Sequence, residues 1–419
     1  MVPTKRTMTH KLLAMPMTAV LLTTLATAAP FVGAVEVESP RTIYVDAAYL
    51  APGEAMEGAL ITIENGKITA IAPAKGKPGD DAIHAAALTA GMIDASVRIN
   101  SGLTSVEQST EVQPHRRAAD SLDLWDPRWE RNLKSGVTTV LANPIDQNVI
   151  GGLGVVLKTG GAMTLEARTV RADAVVRGAI GTRPSAQNHA PRGRPTDFYT
   201  RRPTTRMGVE WVWRKAFYDA ESAPRVPEND FEGSQILRDV LAGKRVLCIE
   251  AWTTQDIRTA IFLKEEMRRE GFGEISLMID AGAEAWREPD MVARAEASVV
   301  LPPFSHFGRT TDGAFFSWNV ARELLDRGVP VALSSHGARS VSDRLAQQAG
   351  YAMRGGLSFD EALAAVTTAP ASMLGVEDRV GSVAVGKDAD LVLWSGTPFA
   401  PTSSVVGVLL DGKLVLDPR

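Results

Sequence analysis

Apolar positions along this chain follow two rhythms. Between residues 43 and 72 apolar and polar positions alternate. Ala59-Leu60-Ile61-Thr62-Ile63 leads through Glu64-Asn65-Gly66-Lys67 into Ile68-Thr69-Ala70-Ile71. Two alternating runs around Asn-Gly predict a hairpin, because that pair favours a tight two-residue turn. The far end has the same texture. Asp390-Leu391-Val392-Leu393-Trp394 predicts a strand, and 405–410 another, turning at Asp411-Gly412 into Leu414-Val415-Leu416. Between these ends the pattern changes. Apolar strand-like runs at 92–97, 137–142, 172–176, 246–251, 275–279, 297–301 and 329–333 are separated, in many cases, by helix-spaced stripes at 257–269, 320–327 and 359–367. Such alternation predicts a TIM-like (β/α)8 barrel of parallel strands, since each crossover helix covers the outer face of the sheet. An open doubly wound sheet is the alternative. The two β-rich ends are each too short to bury a core alone, so they are expected to form one small composite β-sandwich.

Length suits this plan. The chain has 419 residues, enough for a large barrel and a small accessory unit. A formal net charge of -4 with 45% hydrophobic residues gives no reason to expect nucleic acid or an anionic membrane as partner. The N-terminus reads as a secretory signal. Lys5, Arg6 and Lys11 precede an apolar run at 12–25, followed by small-x-small sites at Ala26-Thr27-Ala28 and Val32-Gly33-Ala34. An uncleaved anchor is the competing reading, but the run is shorter than the ~20 residues that span a bilayer. The expected order is a signal peptide at 1–34, sandwich strands at 35–90, the barrel at 91–380 and the remaining sandwich strands at 381–419. The expected location is periplasmic or extracellular. The one cysteine, Cys248, excludes an intramolecular disulfide and lies in a buried-strand pattern, so it reads as a core residue. Residues 182–207 break the βα rhythm. They are rich in Pro and Arg (Arg183, Arg192, Arg194, Arg201, Arg202, Arg206) and read as a solvated loop or as an anion-attracting lid over the barrel mouth.

Several motifs narrow the reading. Ile63-Glu64-Asn65-Gly66-Lys67-Ile68, Ala90-Gly91-Met92-Ile93-Asp94, the run from Gly381-Ser382 to Gly386-Lys387-Asp388-Ala389-Asp390-Leu391-Val392, and Asp411-Gly412-Lys413 stand in order across the chain. Together they resemble the signatures that open and close the amidohydrolase barrel. Gly136-Val137-Thr138-Thr139-Val140, Asn148-Val149-Ile150-Gly151-Gly152 and Thr205-Arg206-Met207-Gly208 resemble the bacterial imidazolonepropionase-related members. Gly151-Gly152-Leu153-Gly154 lacks the Lys-Ser/Thr of a phosphate loop and the spacing of a dinucleotide fingerprint.

The resemblance implies hydrolysis by a metal-activated water, zinc or another divalent ion lowering the water's pKa and polarising the scissile carbonyl. The family's ligands are a His-x-His after the first strand, a Lys or Glu mid-barrel, His on two later strands and a final Asp. Here the first pair reads Ser96-Val97-Arg98, the mid-barrel position Arg177, the His positions Glu250 and Ala281, and the final position Ser335. Only Glu250 is a good ligand, because Ser binds metals poorly and Arg is permanently charged. The histidines agree. His10 lies in the leader, and His84, His115, His189, His306 and His336 show no His-x-His spacing. His336 follows the last strand and is the one placed to enter the pocket. Neither a Gly-x-Ser-x-Gly elbow nor a plausible triad replaces the metal, although Ser335 adjoins His336.

Two functional readings follow. The first is a catalytically degenerate family member without a cofactor, acting as a pocket-binding protein for a small molecule or as a subunit in a homo-oligomer or beside an active relative. The second is a hydrolase of non-peptide C–N bonds with a remodelled or metal-free site. Candidate catalytic residues are Glu250, Arg98, Arg177 and His336; Ser96, Ala281 and Ser335 mark vestigial binding positions. A guanidinium of Arg98 or Arg177 is expected on Glu250, because a carboxylate stranded in a metal-free mouth needs a cation.

Overall fold

A seven-stranded sheet is assembled from both ends of the chain. Its strands are Arg41–Ala51 (β1), Glu54–Glu64 (β2), Lys67–Pro73 (β3) and Ile83–Ala90 (β4) from one end, and Leu391–Trp394, Val405–Leu410 and Lys413–Leu416 from the other. Strand β4 joins the two sets, pairing parallel with β1 and antiparallel with Leu391–Trp394. The computed structural model describes residues 41–74, 76, 83–98, 107, 109–186, 202–304, 312–337 and 340–417. The signal-peptide reading, His189, His306 and most of the Arg-rich segment lie outside the described residues. Among the described residues no helix is long and apolar enough to cross a membrane.

The two hairpin turns explain why the ends meet. Asn65 and Gly66 both have positive φ (50° and 77°), as do Asp411 and Gly412 (48° and 73°). Glycine fits here for a second reason. A Cβ on Gly66 would come within 3.1 Å of the Asp411 carbonyl oxygen, and one on Gly412 within 3.3 Å of the Gly66 Cα. The turns therefore pack backbone against backbone. The Gly-Lys-Asp-Ala-Asp segment stitches them, since Ala389 N–H donates to the Gly66 carbonyl (2.8 Å) and Gly412 N–H to that of Ala389 (3.0 Å).

The eight-stranded sheet runs, in chain order, Met92–Val97 (β5), Val137–Ala142 (β6), Ile150–Lys158 (β7), Thr169–Ala179 (β8), Val246–Glu250 (β9), Leu277–Asp280 (β10), Ser298–Leu301 (β11) and Val331–Leu333 (β12). Neighbours in sequence are neighbours in the sheet, which curls into a nearly closed barrel. The strands after β12 in sequence become β13 (Leu391–Trp394), β14 (Val405–Leu410) and β15 (Lys413–Leu416). One strand departs from the parallel rhythm. β7 runs antiparallel to both β6 and β8, so β6 to β8 is a meander. Its Gly-rich start hid it from the periodicity analysis. The barrel interior is filled by Ile93, Ala95, Leu141, Val156, Val175, Cys248, Met278, Val300 and Ala332, contributed by successive strands. Outside, helices such as Thr254–Arg269 pack their apolar stripe on the strands. That helix starts at Thr253, whose hydroxyl accepts from Asp256 N–H (3.3 Å), an N-cap that satisfies an otherwise orphaned donor.

Side chains draw the two edges of the barrel together at its C-terminal end. Asp94 of β5 accepts hydrogen bonds from the Ser334 hydroxyl (2.8 Å), the Ser335 N–H (3.1 Å) and the Ser335 hydroxyl, just beyond β12. Ser334 also donates to the Ser96 carbonyl (2.6 Å). Burial raises the Asp94 carboxyl above its ordinary range, and these donors offset only part of that.

A second buried cluster fixes the barrel to the terminal sheet. Lys158, at the end of β7, places Nζ 2.8 Å from Asp388 and 3.2 Å from Asp390, and also bonds Asp411. Lys67 and Arg379 also pair with Asp388. Burial pushes the Asp390 carboxyl up to about 6, despite Lys158. For Asp388, burial is outweighed by Lys158, Lys67 and Arg379, which hold it at about 2. The two act in opposite senses. Asp390 holds its proton more tightly folded than unfolded, so stability falls as pH rises from about 4 to about 6. Asp388 contributes stability above the ordinary carboxyl value of 3.8, lost as pH falls toward 2. Urea midpoints across pH 4 to 7 check this: Asp390→Asn should flatten the decline between about 4 and 6, and an unchanged slope would contradict the assignment.

Candidate functional site

Strand alternation sets what faces the barrel mouth. The interior rows that carry Val175, Cys248 and Met278 continue, two residues on, to Arg177, Glu250 and Asp280. Asp280 and Glu250 are register partners at the ends of β10 and β9. Arg98 follows β5, and Asp146 lies in the connection after β6. These five charged side chains are all nearly or fully buried: Arg98 is 9% exposed, Glu250 2%, Arg177 1%, and Asp146 and Asp280 0%.

They meet in one alternating network. Arg98 Nη2 lies 2.5 Å from Asp146 Oδ2, 2.8 Å from Glu250 Oε1 and 3.7 Å from Asp280 Oδ2. Arg177 lies beside it, with Nε 2.6 Å from Asp146 Oδ1 and Nη2 2.6 Å from Asp280 Oδ2. Its Nη1 donates to Cys248 Sγ (3.0 Å). Further donors complete the carboxylates. Trp252 Nε1 donates to Glu250 Oε1 (2.9 Å), the Ser96 hydroxyl to Asp280 Oδ2 (2.7 Å) and the Ala281 N–H to Asp280 Oδ1 (2.9 Å). His336 Nε2 is 3.4 Å from Asp280 Oδ1, and the ring meets Trp252 edge-on at 6.0 Å.

The electrostatics follow from this geometry. Burial would raise both aspartates, but the guanidinium groups outweigh it. Asp280 is held well below the ordinary range by Arg177, with His336 and Arg98 adding to the effect, and Asp146 is lowered by Arg177 and Arg98. Both arginines are raised in turn, burial notwithstanding. Cys248 goes the other way. Burial pushes its thiol up to about 12, so it stays protonated and is no nucleophile.

The sequence-predicted residues fall into three groups. Arg98, Arg177, Glu250 and His336 come together at the mouth. Arg98, not Arg177, is the guanidinium on Glu250. Ser96 and Ser335 also reach the mouth, but their hydroxyls are committed to Asp280 and Asp94, and Ser335 donates its hydrogen bond to Asp94 rather than to His336. Ala281 supplies only its backbone N–H. Sequence reasoning missed Asp146 and Asp280, the two acids that hold Arg177. Asp280 stands one position before Ala281, where the family's histidine was expected, and an acid at the end of a buried strand was itself a signal. Asp146 gave no pattern, because it lies in a connection.

This donor set does not fit a divalent metal. The point on which three carboxylates converge is filled by Arg98 Nη2, and Arg177 lies alongside. Like unit charges at 4 Å repel by about 4 kcal/mol at an effective dielectric of 20, and a dication would meet twice that from each arginine. The described residues contain no group of three or more His, Cys, Asp or Glu side chains arranged to hold an ion.

Comparisons with known proteins place the chain. Residues 284–415 match the model of the Amidohydrolase family. Amidohydrolase tasK of Hapsidospora irregularis is 26% identical over 409 residues, covering 85% of this chain but 40% of that protein. An imidazolonepropionase of Cupriavidus pinatubonensis is 36% identical over 118 residues, covering 27% of this chain and 26% of that enzyme. The chain thus spans about two fifths of the first relative's length and about a quarter of the second's. Among solved structures, an amidohydrolase from Thermotoga maritima superposes with a TM-score of 0.75 at 28% identity, over 89% of this chain and all of that one. A prolidase complexed with N-methylphosphonate-L-proline superposes at 0.55 and 18% identity, over 90% of this chain and 100% of that one, and shares the fold alone. The chain therefore has the amidohydrolase-superfamily TIM-barrel fold, with imidazolonepropionase-like relatives over part of its length, and no obvious metal-binding cluster among its described residues.

Proposed function

We propose that this is an exported, catalytically degenerate amidohydrolase-superfamily protein that binds a small molecule at its barrel mouth, alone or as a subunit beside an active relative. One observation carries the reading. The Arg98 guanidinium lies between Asp146 and Glu250, at the focus of the carboxylates. A guanidinium neutralises charge and fixes geometry through directed hydrogen bonds. It does not deliver an activated water, because it holds its proton far above neutral pH. Export rests on the leader pattern of residues 1–34 and an A-x-A site.

A second reading has its own support. His336 is buried, with Nε2 3.4 Å from the ionised Asp280. An imidazole oriented by a buried carboxylate is the arrangement of a general base. On this reading the protein hydrolyses a C–N bond without metal, the hydrolysis itself being in keeping with the name amidohydrolase that relatives carry.

Metal analysis and hydrolysis assays separate these readings. Purified mature protein should carry far less than one zinc or other divalent ion per chain and should hydrolyse no amide, lactam or cyclic imidazolone in a panel. Stoichiometric metal with activity lost to a chelator would overturn the proposal. Metal-free hydrolysis abolished by His336→Ala would establish the second reading instead.

The network's structural role has a separate readout. Arg177→Met leaves Asp146 and Asp280 buried without their main counter-charge, and should lower stability by about 3–5 kcal/mol in denaturant unfolding. A loss under about 1 kcal/mol would show that the acids find other partners. N-terminal sequencing of protein from the cell envelope fraction should begin near Ala29 or Val35; retention of residues 1–20 there would contradict export.

A further inference from the structure

The helix Arg206–Ser222, which follows β8 in the chain, has two unlike faces. Val209, Trp213, Ala216, Phe217 and Ala220 are buried on one of them. Trp213 fastens that face to the barrel, its indole donating to the Ala179 carbonyl at the end of β8 (3.2 Å). At about 100° per residue, Met207, Trp211, Arg214 and Tyr218 fall within a sector about 60° wide on roughly the opposite side. This outer row is largely apolar, where a solvated helix carries charged and polar residues. Met207 is 77% exposed and Trp211 61%, and Tyr218 is exposed as well. The helix Thr254–Arg269 widens the row. Its Glu266 pairs with Arg214 (2.7 Å) and accepts from the Tyr218 hydroxyl (3.4 Å), and the exposed Phe262 stands one turn before Glu266. Single exposed apolar side chains are ordinary on a protein surface. A row of Met, Trp, Tyr and Phe has instead the composition of an interface core.

The charges beside this row decide what fits it. Glu210 and Arg214 lie one turn apart along one edge and pair with each other at 2.8 Å. Lys215 lies along the other edge, beside Trp211, and pairs with Asp219. From the helix N-terminus the first edge therefore reads acid, then base. A second copy of the helix laid alongside in the opposite sense reads base, then acid. With the two-fold axis near the middle of the helix, Glu210 of each copy meets Arg214 of the other. The same arrangement brings Met207 over Tyr218 and Trp211 over Lys215. Closed two-fold association presents one patch to itself and so demands this kind of self-complementarity. A membrane surface fits less well, because helices that lie on lipid flank their apolar face with cations. Here Glu210, Asp219 and Glu221 stand among the flanking residues.

We infer that the outer face of Arg206–Ser222 docks a second copy of this chain, the two helices packing antiparallel with Trp211 near the centre. Tryptophan, tyrosine and arginine are the residues that dominate interface energies, and all three stand in this row. Across the contact the ion pairs within each helix join into one cluster of alternating sign, Glu210 and Arg214 of one copy against Arg214 and Glu210 of the other. The inference goes beyond the reading of the barrel mouth and does not depend on whether that mouth binds or hydrolyses its ligand.

Sedimentation equilibrium of the purified mature protein should show a dimer at micromolar concentration. Trp211→Glu alters an exposed position and leaves the buried face of the helix intact. It should raise the dimer Kd about a hundredfold, which corresponds to about 2.8 kcal/mol. Charge exchange tests the antiparallel register. Glu210→Arg leaves only positive charge on that edge of both copies, and Arg214→Glu leaves only negative charge, so each variant alone should be monomeric. Mixed in equal amounts, the two variants should associate one to one, because unlike charges then face each other across the contact. Pairing within a helix cannot produce this result, since each variant carries its own internal repulsion into the mixture. A monomeric wild type, a dimer that Trp211→Glu leaves intact, or variants that fold yet stay apart when mixed would overturn the inference. Turnover of a C–N substrate by wild type would remove the non-hydrolytic reading of the mouth and leave this association unchanged.

Discussion

Three carboxylates and two guanidinium groups share the dry interior of one barrel mouth, and the rest of this structure is arranged around keeping them paired. An isolated ionised carboxylate in such a place carries a penalty of several kcal/mol, or takes up a proton. Asp146 and Asp280 do neither, because Arg177 spans them and Arg98 adds a second cation. A planar fork is suited to this where an ammonium is not. Arg177 reaches two different acids and a thiol with three different nitrogens, which a single point charge could not hold in fixed directions.

That arrangement propagates outward. Asp280, held by Arg177, also accepts from the Ser96 hydroxyl, so β5 is tied to β10 across the mouth. Asp94, two residues before Ser96, gathers Ser334 and Ser335 and thereby draws the two edge strands β5 and β12 together. The interior below the charges is lined by small and medium apolar side chains, with Cys248 at the boundary as a neutral thiol under Arg177. The mouth is thus a layer of ion pairs set on a packed apolar core.

The architecture was largely legible in the chain. Asn65-Gly66 and Asp411-Gly412 announced turns because both positions need positive φ, and the structure puts them there. Strand positions β5 and β6 could be read to the residue, since each is a short apolar run between polar neighbours. β7 could not. Ile150-Gly151-Gly152-Leu153-Gly154 has too little side chain to show a period, yet Gly154 is required, because a Cβ there would meet the Asn143 side chain at 2.4 Å. At the site, Arg98 and Glu250 were found through the positions a family pattern leaves vacant. Asp146 and Asp280 were not, since nothing in a linear sequence says that residues so far apart share one ion-pair network.

A barrel mouth can be filled in two ways. One is to fill the mouth with apolar residues, which often matches or exceeds the stability of a buried ion pair. This chain places acids there and answers them with arginines, the less stabilising route where stability alone counts. Retaining three ionised or hydrogen-bonded acids around a solvent-reachable edge keeps a strong, directed field at the barrel mouth, where this fold places its ligands. An apolar plug would keep the barrel and abolish that field. The two buried guanidinium groups pair these acids directly, while Arg183 stands farther off and part-exposed. Such a field acts on whatever enters the mouth, so the fixed charges there orient any polar group that comes within reach.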